Sequence, residues 1–306
     1  MISNDTLPEK SASLICFGLG YSARHLIERL DRDAWQIAGT VRDPEAAKRW
    51  RSKGVDAFVF DGETREPGMD EAIATATHVL VSVPPGTPPP EGNGDPVLAY
   101  YATALSNAPN LAWIGYLSTV GVYGDHDGGW VDETTDATPF SRRSHDRRAA
   151  EIEWEAFGAG TGKRVVIFRL AGIYGPGRSA IENVLRGRAR RIIKAGQRFN
   201  RIHVDDIASL LMASMTGRGT APILNVADDL PAPPQDVVAY AAALLGTPAP
   251  PEVAIDDAAL SAMARSFYDE NKQVRNDLLK NDLGLTLTYP TYREGLEALA
   301  RAHADK

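Results

Sequence analysis

A doubly wound α/β sheet followed by a smaller, mostly helical C-terminal lobe is the fold class this sequence predicts, on three observations. Short apolar runs alternate with helical stretches from Leu14 to Leu170, the rhythm of βαβ units in a parallel sheet. The first apolar run, Leu14-Ile15-Cys16-Phe17, passes through the turn Gly18-Leu19-Gly20-Tyr21-Ser22-Ala23 into a helix with Leu26, Ile27 and Leu30 on one face. After Arg178 the alternation fades and helical periods dominate.

The turn has the spacing G-x-G-x-x-A, and each small residue has a reason. Gly18 allows the tight exit from the strand, Gly20 lets a pyrophosphate approach the backbone, and Ala23 lets the helix pack on the strand. The helix start, through Tyr21 and Ser22, offers free N–H groups to phosphates. Such a turn is weak evidence alone and stronger between a strand and a helix. The fold is therefore expected to be Rossmann-type. A dinucleotide-binding domain is expected over 11–178, with segments returning to it near 202–228, and a substrate-side lobe over 179–306.

The remaining elements follow in order. Trp35–Val41 reads as the second strand, and Pro44–Lys53 as a helix with Asp43 as N-cap and Pro44 at its first position. Val55–Phe60 is the third strand, Met69–Thr77 a helix, and His78–Val83 the fourth strand. The Pro/Gly-rich stretch from Pro84 to Pro96 leaves the carboxyl edge of that strand, where such sheets bind ligands; its composition equally suits a stiff linker. Val97–Asn107 is a helix, Leu111–Ser118 a strand, Thr119–Pro139 a glycine-bearing loop, Arg142–Phe157 a helix and Arg164–Leu170 a strand. Beyond a helix from Ser179, Ile202-His203-Val204 leads into a helix over Asp205–Met215, with a short strand at Ile223–Val226. Helices are expected at Pro234–Leu245, Asp256–Arg265, Asn276–Asp282 and Tyr292–His303.

Bulk properties narrow the function. Of 306 residues, 43% are hydrophobic and 24% charged, an ordinary globular balance. A net charge of -7 argues against general nucleic-acid binding. The single cysteine, Cys16, allows no internal disulfide and suits a reducing compartment. The start MISNDTLPEK lacks the pattern of a signal peptide, and no apolar run reaches the length of a membrane span, so the cytoplasm is the expected location. No His/Cys/Asp/Glu spacing suggests a metal, and no G-x-S-x-G turn is present.

The end of strand two selects the cofactor. An acidic residue there bonds the ribose of NAD, whereas an arginine accommodates the 2′-phosphate of NADP. Here the strand ends Thr40-Val41-Arg42, which favours NADP: Arg42 is a phosphate fork and Thr40 adds a hydroxyl. The alternative is NAD, with Asp43 on the ribose and Arg42 a solvated charge. Asp61, ending strand three, is placed to bond the adenine amino group or to make an ordinary Asp-Gly turn. Val83 and Pro84, at the end of strand four, border the same edge.

With these segments in hand, the chain resembles the extended and atypical short-chain dehydrogenases, the NAD-dependent epimerase/dehydratase superfamily. The resemblance rests on Gly18-Leu19-Gly20, on Leu117-Ser118-Thr119-Val120-Gly121-Val122-Tyr123-Gly124, on Arg169 to Gly177, and on Ile202-His203-Val204-Asp205-Asp206. It implies that Ser118 and Thr119 belong to the catalytic turn, with Thr119 hydrogen-bonding the reacting oxygen. It also implies a Tyr-x-x-x-Lys pair on the next helix, whose tyrosine moves a proton and whose lysine holds the nicotinamide ribose. This chain departs there. Arg143 stands in the tyrosine place and Arg147 in the lysine place, four residues before Glu151. An arginine with a pKa above about 12 cannot cycle a proton at neutral pH, and losing that help costs roughly two to four orders of magnitude in rate. Arg147 can still hold the ribose. His145, Tyr123 and Tyr174 are the substitutes open to the chain.

On the substrate side, seven cations lie between Arg186 and Arg201. By the resemblance, Arg198 and Arg201, with Arg178 after the Gly-Pro-Gly turn, bind an anionic group of a small-molecule substrate; a solvated helix face explains them equally well. His203 and Asp206 are expected to tie the two lobes together, a structural rather than a catalytic role. Two functions follow: an oxidoreductase or epimerase on a phosphorylated or nucleotide-linked metabolite, or a non-catalytic NADP(H)-sensing module that regulates a partner. Homodimers are common in the family, and no apolar stripe decides the matter here.

Overall fold

The computed structural model describes residues 12–86 and 94–304. Positions 87–93 of the Pro/Gly-rich stretch, and the N-terminal segment before Ala12, lie outside the described residues. The elements, in chain order, fall into two compact units. Seven parallel strands form the central sheet, the predicted doubly wound architecture.

The first unit comprises 12–117 with Ala149–Val166. It opens with β1 (Ala12–Phe17), α1 (Tyr21–Ile27), β2 (Trp35–Val41), α2 (Pro44–Arg51) and β3 (Asp56–Val59). It continues through α3 (Gly68–Thr75), β4 (His78–Val81), α4 (Pro96–Asn107) and β5 (Trp113–Thr119). β1 pairs in parallel with both β2 and β4, with Cys16 opposite Gly39 on one side and Leu80 on the other. Strand order β3-β2-β1-β4-β5 reverses direction between β1 and β4. That reversal opens a crevice at the strands' carboxyl ends, where open α/β sheets bind ligands.

Local chemistry explains the pieces. β1 buries Leu14, Ile15, Cys16 and Phe17, the run of a strand covered on both faces. Asp43 caps α2 by accepting the Glu45 and Ala46 N–H groups at 3.1 Å each, with Pro44 in the first turn. Phe17, Phe60 and Tyr101 form an aromatic cluster with centroids 5.4–6.3 Å apart, Phe60 edge-on to the other two rings. Glu153 accepts the Gly94 and Asp95 N–H groups at 2.9 and 3.1 Å, and so anchors the entry to α4.

The second unit comprises Ser118–Arg148 with 167–304. After β5 comes one 3-10 turn, Val120–Tyr123, then β6 (Trp130–Val131) and α5 (Arg142–Thr161). β7 (Val165–Leu170), β8 (Gly172–Tyr174), α6 (Ala180–Leu185), β9 (Arg191–Ile193) and β10 (Arg201–His203) follow. The chain then runs α7 (Val204–Met215), β11 (Ile223–Val226), α8 (Pro234–Leu244), β12 (Glu252–Ala254) and α9 (Ala262–Ser266). It ends with β13 (Gln273–Val274), α10 (Asp277–Leu283) and α11 (Tyr292–Ala304). β11 pairs in parallel with β7, and the full order is β11-β7-β5-β4-β1-β2-β3.

Three small parallel pairs, β10-β8, β12-β9 and β13-β6, stitch the second unit together outside the main sheet. The helix expected over Asp256–Arg265 is reduced to the five residues of α9. β12 pairs with β9 just before it, and the Ile255 N–H continues that ladder to the Ile193 carbonyl at 3.0 Å. Asp206 accepts the Thr288 and Tyr289 N–H groups at 2.6 and 3.1 Å, and the His203 ring lies 4.0 Å from the Tyr289 ring. Both residues thus fasten the C-terminal segment to α7. Among the described residues, no helix is long and apolar enough to cross a membrane.

Candidate functional site

The β1–α1 turn lies in the first unit at the strand reversal, and three side chains or backbones hold it. Gly18 has φ +93°, a conformation that excludes most side chains, and a Cβ there would stand 2.7 Å from the Ser82 hydroxyl. The Gly18 N–H donates to the Thr40 hydroxyl at 2.9 Å, and the Leu19 N–H to the Thr40 carbonyl at 2.8 Å. From β4, the Ser82 hydroxyl lies 2.7 Å from the Gly18 carbonyl. Thr40 is buried and its hydroxyl is committed to this amide. That corrects its expected role: it braces the turn from beneath and presents no hydroxyl at the surface.

Gly20 differs from Gly18 in kind. Its φ of -87° and ψ of -162° suit any residue, and among the described residues no atom comes within 4 Å of where a Cβ would be. Nothing in the chain's own geometry or packing demands glycine there. No side chain caps the N-terminus of α1, so its first-turn amides border the same opening. Ser22 and Ala23 are buried behind them, Tyr21 stacks edge-on with His25 at 4.9 Å, and Val83 packs beside Gly18. Pro84 is exposed just beyond. A dinucleotide pyrophosphate fits this donor set.

At the neighbouring strand ends, Arg42 is exposed and has no hydrogen bond or ion pair among the described residues. Asp43 is committed to its helix cap. Asp61 is exposed and accepts the Glu63 and Thr64 N–H groups at 2.8 and 3.0 Å, which hold its carboxyl below the usual range. It makes the turn that an Asp-Gly pair favours.

The Ser118-Thr119 turn lies in the second unit. The Thr119 hydroxyl accepts the Gly121 N–H at 3.1 Å and caps the 3-10 turn. One lone pair is thus used, and the hydroxyl proton keeps its freedom to donate. Ser118 is buried. Gly121 meets the first turn of α5: a Cβ there would lie 3.0 Å from the Ser144 hydroxyl and 3.4 Å from that of Thr119. Ser144 in turn pairs with the Ser141 hydroxyl at 2.9 Å. Arg143 is exposed, Arg147 half-buried, and His145 exposed.

Both candidate tyrosines have hydrogen-bond partners within the chain. Tyr123 is fully buried, donates to the Asn225 side-chain oxygen at 2.8 Å, and has the Arg169 guanidinium 4.8 Å over its ring. Tyr174 donates to the Thr291 carbonyl at 3.3 Å. Burial pushes both phenols above their ordinary pKa.

The three substrate-side arginines diverge. Arg201 donates to the Phe199 and Ala232 carbonyls at 2.9 and 3.2 Å, and burial lowers its pKa. Its guanidinium clamps backbone, a correction to its expected place on a substrate. Arg198 is exposed and donates to the Pro231 carbonyl at 3.3 Å. Arg178 is exposed beside a Gly-Pro-Gly turn whose Gly177 N–H and Ser179 hydroxyl are already held by Glu182. Among the described residues, no group of three His, Cys, Asp or Glu could hold a metal.

The model of the family described as "NAD dependent epimerase/dehydratase family" matches residues 18–227. The chain belongs to that family. Over 290 residues it is 27% identical to "Protein YeeZ" of Escherichia coli strain K12, covering 89% of this chain and 94% of that protein. A solved structure of a functionally unknown conserved protein from Silicibacter pomeroyi has 47% identity and a TM-score of 0.83, covering 96% of this chain and all of the other. The dTDP-glucose 4,6-dehydratase of Bacillus anthracis, solved with NAD, has 15% identity and a TM-score of 0.76, covering 96% and 97%, a likeness of fold.

Sequence reasoning missed Ser82 and Ser144. Each is a lone serine whose role depends on which glycine it meets across the fold. The sequence signal was positional only: Ser82 directly follows an apolar strand, and Ser144 lies one residue after the tyrosine place.

Proposed function

We propose that this protein binds NADP(H) at the β1–α1 turn and works as an oxidoreductase or epimerase on a phosphorylated or nucleotide-linked metabolite. The observation that carries the reading is Gly20, an ordinary backbone conformation whose missing side chain leaves an open cradle beside uncapped amides. Gly18, Gly20, Tyr21, Ser22 and Ala23 would hold the pyrophosphate, with Val83 and Pro84 bordering it. Bound there, the nicotinamide supplies or accepts a hydride.

The preference for NADP over NAD rests on Arg42. Its side chain is exposed and uncommitted, while the neighbouring carboxylates of Asp43 and Asp61 already accept backbone N–H groups. Thr119 would orient the reacting oxygen through its free hydroxyl proton, with Ser118 behind it. Arg147 would hold the nicotinamide ribose, as the resemblance implies. Arg178 and Arg198, both exposed, would meet a substrate anion, as the resemblance implies.

One observation favours the second reading, a non-catalytic NADP(H)-sensing module: the family's tyrosine is absent, and Tyr123 and Tyr174 are locked elsewhere. Calorimetric titration with NADPH and NADH tests the shared core of both readings. Arg42→Ala should weaken NADPH binding by about 1.5–3 kcal/mol, the scale of a hydrogen bond to a charged group, and leave NADH unchanged. Equal losses for both dinucleotides would remove Arg42 from the 2′-phosphate. Hydride transfer from NADPH in a broad carbonyl screen separates enzyme from sensor.

A further inference from the structure

We infer that Thr40 and Ser82 are positioning residues for the dinucleotide. Their hydroxyls clamp Gly18 from both sides and hold the β1–α1 turn in its ligand-ready shape before a ligand arrives. This rests on the proposed binding of NADP(H) at that turn and deepens it, because it names what sets the shape of the cradle.

The end of the β-ladder shows why two hydroxyls are needed. β1 lies between β2 and β4, and its last residue is still in the ladder: the Ser82 N–H donates to the Phe17 carbonyl at 2.9 Å. One residue later Gly18 turns to φ +93° and leaves the pleat. Side chains then take over from backbone. From β2, the Thr40 hydroxyl accepts the Gly18 N–H at 2.9 Å. From the end of β4, the Ser82 hydroxyl lies 2.7 Å from the Gly18 carbonyl and 3.1 Å from that of Phe17. With one proton to give, it donates chiefly to the nearer oxygen. The Leu19 N–H returns to backbone, at the Thr40 carbonyl, 2.8 Å away.

The two contacts act on different peptide planes. The Gly18 N–H belongs to the plane before its Cα and the Gly18 carbonyl to the plane after it, so holding both fixes φ and ψ at that residue. Glycine has more torsional freedom than any other residue, and here it stands at the root of the turn. From the open side little steadies the turn, since no atom of the described residues lies within 4 Å of the Gly20 Cβ position. The shape is therefore set from beneath, by β2 and the end of β4. The fit is mutual, because a Cβ at Gly18 would stand 2.7 Å from the Ser82 hydroxyl, in the space that this clamp uses. A site whose donors are already in place loses less freedom on binding, and binds more tightly for it.

The test is calorimetric titration of the full chain with NADPH and with NADH. The variants are Thr40→Val, which keeps the side-chain shape without the hydroxyl, Ser82→Ala, and the two combined, each shown to be folded by circular dichroism at the titration temperature. Each single variant should weaken both dinucleotides by the same factor, roughly 3- to 10-fold, the scale of one hydrogen bond. The factors should match because the turn meets the pyrophosphate that both ligands share. The double variant should lose less than the product of the two factors, since either change frees the same glycine. Thr40→Ser, which keeps the hydroxyl, should recover what Thr40→Val loses. A merely structural role would lower the urea midpoint and leave the affinity of the folded chain unchanged, and that result would overturn the inference. So would a loss confined to NADPH, or losses that multiply in the double variant. If the wild type binds neither dinucleotide, the proposed function falls instead, and amide hydrogen exchange of the ligand-free chain decides the clamp. The Gly18 and Leu19 amides should then exchange at least about tenfold faster in both single variants, as local opening becomes easier; unchanged exchange would overturn the clamp.

Discussion

Gly20→Ala separates folding from binding more cleanly than any other substitution in this chain. The added methyl meets no atom of the described residues within 4 Å, so it has no packing cost against them. The backbone at φ -87° and ψ -162° accepts alanine without strain. Replacing glycine at a compatible position narrows the unfolded ensemble, so stability should stay level or rise by about 0.4–1 kcal/mol. The same methyl fills the cradle against which a pyrophosphate must lie. Losing one charge-assisted hydrogen bond to the phosphates costs about 1.5–3 kcal/mol, or roughly 10- to 150-fold in affinity. The control is Gly18→Ala, which combines a φ of +93° with a collision at the Ser82 hydroxyl and should destabilise the fold by at least about 1–2 kcal/mol. Urea unfolding and NADPH titration on both variants read the two quantities. If Gly20→Ala binds NADPH like wild type, the opening is not the pyrophosphate site. If it unfolds like Gly18→Ala, the reasoning about packing is wrong.

Asp228 is buried, one carboxylate oxygen accepts the Leu230 N–H at 3.1 Å, and burial pushes its pKa up to about 8. The folded chain then keeps a proton that the unfolded chain releases near pH 4, so stability should fall by a few kcal/mol, to order of magnitude, as pH rises from about 4 to 8. Asp228→Asn should remove that slope and gain on wild type towards pH 8; parallel pH curves would mean that Asp228 is ionised in the fold. Asp43→Ala removes the two-amide cap of α2 and should lower stability by about 0.5–2 kcal/mol in the same urea assay, with NADPH affinity held. A matching loss of NADPH affinity would return Asp43 to the ribose.

The main sheet was legible because each strand carries its own local signal. β2 and β11 fall at the residues their apolar runs predict, and Asp43-Pro44 announces the start of α2. The short strands were not legible. β6, β9, β12 and β13 are two or three residues long, and their partners lie up to 143 positions away, as Trp130 opposite Gln273 shows. No periodicity can accumulate over so few residues. The site divides in the same way. Gly18 and Gly20 stand out in sequence, but only three dimensions show that the fold requires glycine at Gly18 and not at Gly20. Thr40 and Arg201 show the limit of residue type as a guide. A hydroxyl and a guanidinium suit a phosphate, and here both are committed to backbone groups of their own chain.

Tyr123 and Tyr174 hydrogen-bond to Asn225 and to the Thr291 carbonyl. The chemistry of this chain turns on whether the dinucleotide site is in use.

A crystal structure of the protein with NADP⁺ tests the central claim most directly. The account predicts the pyrophosphate within hydrogen-bonding distance of the Gly20 and Tyr21 region amides, and the 2′-phosphate on the Arg42 guanidinium. A dinucleotide bound elsewhere, or a 2′-phosphate turned away from Arg42 into solvent, would contradict it.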